Sequence, residues 1–312
     1  MADTWVIVGA SRGIGLEFVR QILHKGFHVI AGVRSPATAT QLLELRSQSS
    51  SADRCIIEQC DVTDNESIQS FASKVKAAAR GGLRITHVVL NAGILHYPNR
   101  ATEISFSDFA LHLHTNTIGP IVCAQKLVNL DPDCPPAKVV FISSDSGSAT
   151  LFRDDEDGFG AYSASKAALN QMLRHMAAEL SRRGGQWSRT CILAIHPGEV
   201  ETDMANIDLG WEVHGSIQAD ESVRCMLKVI EEKDETGSFW CWDGRGIGMS
   251  WSESILDAFD GRLQHLLRDQ GLPSRFQGQS RASSSKHISA FHFYPQVLYS
   301  SVTANFIEEL SM

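Results

Sequence analysis

The chain has few of the features that tie a protein to nucleic acid, to a membrane or to an oxidising compartment. Its seven cysteines, Cys55, Cys60, Cys123, Cys134, Cys191, Cys225 and Cys241, are odd in number and contain no C-x-x-C pair. Neither a disulfide framework nor a zinc site is indicated, and they read as scattered buried thiols in a reducing compartment. Positive charge is in deficit: 28 Lys and Arg stand against 36 Asp and Glu, a formal net charge of −8. Nucleic-acid binders need the reverse, because basic side chains must displace phosphate counterions. Any anionic ligand has to be held locally. No apolar run approaches the roughly 18 residues of a membrane-spanning helix. The opening MADTWVIVGAS reaches a strand-like run within a few residues, which leaves no room for a signal or transit peptide. Metal-ligand patterns are missing too. His112 and His114 are two apart and cannot share a helix face, and His196 before Pro197 reads as a structural imidazole at a strand end. The expectation is a soluble cytoplasmic protein without metal, nucleic-acid partner or membrane.

What is present is alternation. Apolar, β-branched runs at 4–10, 28–34, 55–62, 87–93, 138–144, 190–198 and 237–244 are separated by amphipathic stretches at 14–25, 65–80, 106–130, 161–182 and 220–232. Strands that are apolar almost continuously are covered on both faces. The pattern predicts an α/β chain of one Rossmann-like domain, 1–251, with a doubly wound, mostly parallel seven-stranded sheet and helices on both faces. Beyond it, Ile255, Phe259, Leu263 and Leu266 recur at helical spacing, which predicts one more amphipathic helix over 252–271. The Ser-rich stretch that follows reads as a disordered tail, 272–312.

Between the first strand and first helix stands GASRGIG, with Gly9, Gly13 and Gly15. Glycines there let the backbone approach a diphosphate, whose charge is stabilised by the N–H groups of the helix start. The spacing G-x-x-x-G-x-G is a variant of the common dinucleotide fingerprint, and an ordinary glycine turn remains the bland reading. Asp61 in CDV and Asn91 to Gly93 in NAG fall at the ends of the third and fourth strands, on the same edge of the sheet. A carboxylate ending the second strand would bind ribose hydroxyls and repel a 2′-phosphate; here that end reads Val33, Arg34. Arg34, with Arg12 of the glycine loop, suits a phosphate, so NADP(H) is expected over NAD(H). A solvated loop arginine is the alternative for Arg34.

YSASK sets Tyr162 one helical turn before Lys166, on one face of a helix. A tyrosine of pKa near 10 is a poor acid or base at neutral pH, and bringing it to about 7 means stabilising the phenolate by roughly 4 kcal/mol. A lysine cation and an oxidised nicotinamide ring beside it would supply that. Ser144 ends the fifth strand in FISS, where its hydroxyl can hold a carbonyl oxygen. Asn116 in HTNTIGP lies inside a helical pattern, an unfavourable place for Asn without a role. Taken singly, Ser144 reads equally as a turn residue and Asn116 as a helix-bending polar group.

In this order, GASRGIG, DV, NAG, NTIG, ISS, YSASK and HPGEVETDM resemble the motifs of the short-chain dehydrogenase/reductase superfamily over residues 4–251, and the final DGRGIGMSW is most similar to its C-factor and sniffer-type carbonyl reductases. The resemblance implies hydride transfer between nicotinamide and a carbonyl or secondary alcohol of a small, mostly neutral molecule. Tyr162 would be the proton donor, Lys166 would hold the nicotinamide ribose and lower the tyrosine pKa, Ser144 would steady the carbonyl, and Asn116 would anchor a water of the proton relay. It implies a cofactor site of Gly9, Ser11, Arg12, Gly13, Ile14 and Gly15, then Arg34, Asp61, Val62, Asn91, Ala92 and Gly93. Tyr162 and Lys166 would complete it together with Pro197, Gly198, Val200 and Thr202. Residues 203–218 would form a substrate lid lined by Met204, Ile207, Leu209, Trp211 and Val213. A homodimer or homotetramer fits the family.

One departure stands out. Tyr162 lies 18 positions after Ser144, farther than usual in the superfamily, and the stretch between includes RDDED, 153–157. Such a run is ordinarily a solvated loop; the sharper reading is that it edges the substrate entrance and disfavours anions. The rival function is a non-catalytic, NADP-sensing interaction protein on the same fold.

Overall fold

The computed structural model describes residues 3–48, 52–153, 156–204, 207 and 215–248. The expected helix over 252–271 and tail over 272–312 lie outside the described residues. The chain divides into units Met1–Phe259 and Asp260–Met312, and every described residue belongs to the first.

The apolar runs become strands, the inner ones sealed on both faces and the edge strand β3 partly exposed: β1 Asp3–Val8, β2 His28–Val33, β3 Cys55–Gln59, β4 Arg84–Leu90, β5 Lys138–Ile142, β6 Cys191–His196 and β7 Ser238–Cys241. All pair in parallel, in the order β3-β2-β1-β4-β5-β6-β7. Alternation along a strand sends successive side chains to opposite sides. In β1, Val6 and Val8 enter one core and Trp5 and Ile7 the other. The first core is completed by α3 Asn65–Arg80, α5 Gly119–Val128 and α6 Gly160–Arg183; the second by α1 Gly13–His24, α2 Thr40–Ser47 and α7 Ala219–Glu232. Fully buried Phe71 and Phe141 on one side and Phe18 and Ile22 on the other each contribute roughly 2–3 kcal/mol of apolar burial.

Two helical features differ from the sequence expectation. The eight-residue α2 was not anticipated, because only Leu42 and Leu45 of it are buried and so short a segment carries little periodicity. The helix expected over 106–130 is interrupted: α4 Phe106–Leu113, capped by the Ser105 hydroxyl accepting from the Asp108 N–H, runs into a π-turn at His114–Ile118 before α5. Pro120 supplies the reason. It has no N–H for the carbonyl of Asn116, and its ring would crowd that carbonyl in a regular α-helix.

β1 neighbours both β2 and β4, so the chain winds outward in opposite directions from that point. Loops leaving the carboxyl ends of β1 and β4 therefore part and open a crevice.

Candidate active site

At one end of the crevice, the Gly9 N–H donates to the Gly32 carbonyl at 2.8 Å and the Asn91 side-chain amide donates to the Gly9 carbonyl at 2.8 Å. The approach is closer than any side chain permits. A methyl group on Gly9 would lie 2.6 Å from the Ala92 nitrogen, and one on Gly15 would lie 2.0 Å from the Gly9 oxygen. Gly9 also has φ of 88°, open to glycine at little cost. The first turn of α1 contains no acidic residue, and Arg12 before it makes no side-chain cap. Its N–H groups and positive dipole end are thus left for a ligand anion.

The other sequence-predicted cofactor residues gather around this loop. Ser11 and Gly13 are half-buried, Ile14 packs on the α1-side core, and exposed Arg12 pairs with Asp203 at 3.0 Å. Arg34 stands exposed just past β2. One oxygen of Asp61 accepts from the Thr63 N–H and hydroxyl at 2.9 and 2.7 Å, fixing the turn that presents Val62 beneath Gly119. Asn91 and Ala92 both donate backbone N–H groups to the Val8 carbonyl, which leads Gly93 along the site. Past β6, the Pro197 carbonyl accepts from the Ser222 hydroxyl at 2.6 Å, Gly198 lies against Trp242, and Val200 bridges to Ile217. A methyl on Gly13 would touch Thr202. Paired backbone bonds from Glu201 and to Glu199 clasp Ile217, closing the base of the expected lid. Of its lining, Met204 and Ile207 are described and Met204 is exposed, whereas Leu209, Trp211 and Val213 lie outside the described residues.

At the other end, Ser144 leaves β5 buried and extended, its Oγ accepting from the Ser146 N–H at 3.3 Å. The turn Asp145–Gly147 lies flat on α6: a methyl on Gly147 would be 2.6 Å from the Lys166 Cβ. Asn170 fastens the same joint, accepting from the Ser143 hydroxyl at 2.7 Å and donating to the Gly147 carbonyl at 3.3 Å. The strand end bearing Ser144 and the helix bearing Tyr162 and Lys166 are thereby locked together.

Lys166 is 5 % exposed, donates to the Ile142 carbonyl at 2.9 Å, and its Nζ lies 5.7 Å from the centre of the Tyr162 ring. Burial lowers its pKa to about 8. The Tyr162 pKa is pushed up to about 12, mainly by burial. A hydrogen bond with Ser144 works against that rise, and the charges of Glu199, Asp145 and Glu156 add to it. The reason is physical. Desolvating a phenolate outweighs one hydroxyl contact, and the Lys166 ammonium is turned to a backbone carbonyl. Burial and the three carboxylates thus favour the protonated phenol.

Asn116 is fully buried in the π-turn. Its side chain accepts from the Ile94 N–H at 2.8 Å and donates to the Ile94 carbonyl and the Ser165 hydroxyl, both at 3.0 Å. Ser165 donates in turn to the Tyr162 carbonyl at 2.7 Å. Asn116 thus joins the loop after β4 to the tyrosine helix.

Residues 3–211 match the sequence family described as short chain dehydrogenase. The chain belongs to that family. An oxidoreductase of Schizosaccharomyces pombe is 32% identical over 255 residues, covering 77% of this chain and 95% of its own. The NADPH-bound carbonyl reductase from chicken fatty liver superposes with a TM-score of 0.66 at 30% identity, over 78% of this chain and 93% of that one. A Burkholderia multivorans short-chain dehydrogenase/reductase with bound NADP gives a TM-score of 0.66 at 27% identity, over 79% and 99%. The Rossmann-like fold expected from the motifs is that of the family.

Within this short-chain dehydrogenase, three groups of residues escaped sequence reasoning. Asn99 caps α6 from outside it: its side chain accepts from the Tyr162 N–H at 3.0 Å and its carbonyl from the Ala161 N–H at 3.1 Å. Phe159, which precedes the helix, makes no side-chain cap. Only the Pro98 neighbour marks Asn99 in the sequence, as a turn residue. Gly147 had a fainter signal, a glycine three residues past a strand-end serine. The third group is the set of ion pairs made by RDDED, in which Asp157 stays exposed. Arg153 pairs with Asp145 and Glu156 at 2.9 and 2.7 Å, and Arg100 grips Asp157 through two nitrogens; Asp154 and Asp155 lie outside the described residues. Asp145, His196 and Glu199 also bring ligand-type atoms within 4.8 Å of one another, but Arg153 already bridges the two carboxylates, so the trio is an ion-pair cluster. Among the described residues no helix is long and apolar enough to cross a membrane.

Proposed function

We propose that the chain is an NADP(H)-dependent carbonyl reductase in which Tyr162 is the general acid. The observation that carries this is the meeting of Ser144, Tyr162 and Lys166 on a locked strand–helix joint, beside a glycine loop whose helix start is left uncapped. The NADPH-bound carbonyl reductase among the relatives supports the same reading. Gly9, Gly13, Gly15 and the α1 N–H groups would hold the diphosphate, and Arg34 and Arg12 the 2′-phosphate, with Arg12 exchanging its partner Asp203. Lys166 would hold the nicotinamide ribose and Thr202 the carboxamide. When bound, NADPH supplies hydride to the carbonyl carbon.

The protein's own part is proton transfer and orientation. The Ser144 hydroxyl donates to the carbonyl oxygen and fixes it near Tyr162. The Tyr162 hydroxyl then gives its proton to the alkoxide that forms, and a tyrosine held protonated suits reduction. Asn116 keeps the loop after β4 against α6 and so keeps the tyrosine in place.

The test is NADPH oxidation with a panel of aldehydes, ketones and quinones, comparing the native chain with Tyr162→Phe. Loss of nearly all turnover with NADPH binding retained is expected. Equal turnover of every carbonyl by the two proteins refutes the assignment.

A further inference from the structure

Three segments wall the reacting end, and each brings a carboxylate. Asp145 follows Ser144 after β5, Glu199 follows Gly198 after β6, and Glu156 lies in the loop leading to α6. A single guanidinium joins them: Arg153 Nη2 is 2.9 Å from Asp145, 2.7 Å from Glu156 and 3.7 Å from Glu199. His196 adds no cation. It takes the Asp145 N–H on its Nδ1 at 3.4 Å, and burial keeps it below the ordinary imidazole range. Lys166 is turned to the Ile142 carbonyl.

These acids bear on the reacting tyrosine, since all three oppose charge on it. The three carboxylates outnumber the single Arg153 guanidinium, so the cluster presents net negative charge to a substrate. Directly before it, Leu151 and Phe152 are 49% and 83% exposed, an apolar lip on the same loop.

Resting on the reductase reading, we propose that the substrate is an apolar carbonyl compound that is neutral or cationic, and that Asp145, Glu156 and Glu199, assembled by Arg153, repel carbonyls bearing carboxylate or phosphate groups. The effect is one of charge among groups still open to solvent, Glu199 being 44% exposed, so it weakens with salt.

The test uses the full chain with saturating NADPH and three matched aldehydes: methyl 4-formylbenzoate, 4-formylbenzoate and 4-(trimethylammonio)benzaldehyde. At low ionic strength the carboxylate is expected to have a kcat/KM about ten-fold or more below that of the ester, a gap that narrows at high salt, with the ammonium compound at or above the ester. In the double variant Glu156→Gln, Glu199→Gln the ester-to-carboxylate ratio falls to within about two-fold. The intrinsic reactivity of each aldehyde cancels when ratios are compared between native and variant chains. A carboxylate that reacts as fast as the ester at low salt overturns the proposal, as does a ratio unmoved by the double variant. If none of the aldehydes oxidises NADPH that the chain demonstrably binds, the reductase reading itself fails and this inference falls with it.

Discussion

Replacing Asn99 by alanine tests whether the tyrosine helix is held from outside. Asn99 is 2% exposed. The substitution removes the acceptor for the Tyr162 N–H at 3.0 Å and the donor to the His96 carbonyl at 2.7 Å, leaving both backbone groups without their partner. Loss of an N-cap costs about 1 kcal/mol, and each backbone group stranded away from water about 1–3 kcal/mol. Partial relief by water brings the sum to roughly 2–4 kcal/mol. For a domain of this size that is a Tm lower by about 5–15 °C. The catalytic consequence is separate. A first turn that frays shifts the Tyr162 hydroxyl, and a displacement of about 1 Å costs on the order of 100-fold in kcat. Asn99→Asp keeps the acceptor and adds a negative charge at a helix start, so it is expected to recover most of the stability. Differential scanning fluorimetry of the NADPH complex and steady-state kinetics read the two effects. An Asn99→Ala chain with unchanged Tm and kcat within two-fold of native would refute the capping argument.

Other substitutions and conditions probe neighbouring parts. Gly147→Ala drives a methyl into the Lys166 backbone and is expected to cost about 3 kcal/mol or more, whereas Gly26→Ala, with φ of 88° but nothing within 4 Å, costs about 1 kcal/mol; similar denaturation midpoints for both would sink the comparison. Lys166 titrates at about 8 and Tyr162 at about 12, so reductive kcat/KM should fall as pH rises through about 8 while the tyrosine keeps its proton; an alkaline limb first seen above about 10 would remove Lys166 as its cause. His87, stacked on Trp5 at 3.9 Å, has its pKa lowered to about 4 by burial. Its neutral form is favoured in the fold, so this stability is complete above the unfolded pKa of about 6.5 and is lost as pH falls toward 4, up to about 3 kcal/mol. His87→Phe should flatten urea-unfolding stability across that window, and an unchanged acid slope would count against it. Arg34→Asp should move selectivity from NADPH toward NADH by about ten-fold or more, measured as the ratio of kcat/KM values.

Much of this was legible because the chemistry repeats locally. Strands buried on both faces show as unbroken apolar runs, so β1 to β7 could be read directly. GASRGIG and YSASK each lie within one turn of backbone, so their spacing is their geometry. Less legible were contacts that join distant segments. Asn99 caps a helix that begins 61 residues later, and nothing at Phe159 announces that the cap comes from elsewhere. The ion pairs that Arg153 and Asp157 make outside RDDED were not legible because their partners, Asp145, Glu199 and Arg100, come from other loops. The sequence shows that a lysine is one turn away, but not that its ammonium faces Ile142 or that the phenol is desolvated.

The π-turn at His114–Ile118 accommodates one residue more than a regular turn. Deleting a residue there would press the Pro120 ring into a regular turn, against the carbonyl four residues before it. The same deletion would rotate everything on one side of the cut by about 100° relative to the other. Either Asn116 would leave Ile94 and Ser165, or the apolar face of α5 would leave the sheet. Deletions across this turn should therefore lower stability and activity together, and a deletion variant that keeps both its Tm and its turnover would refute that.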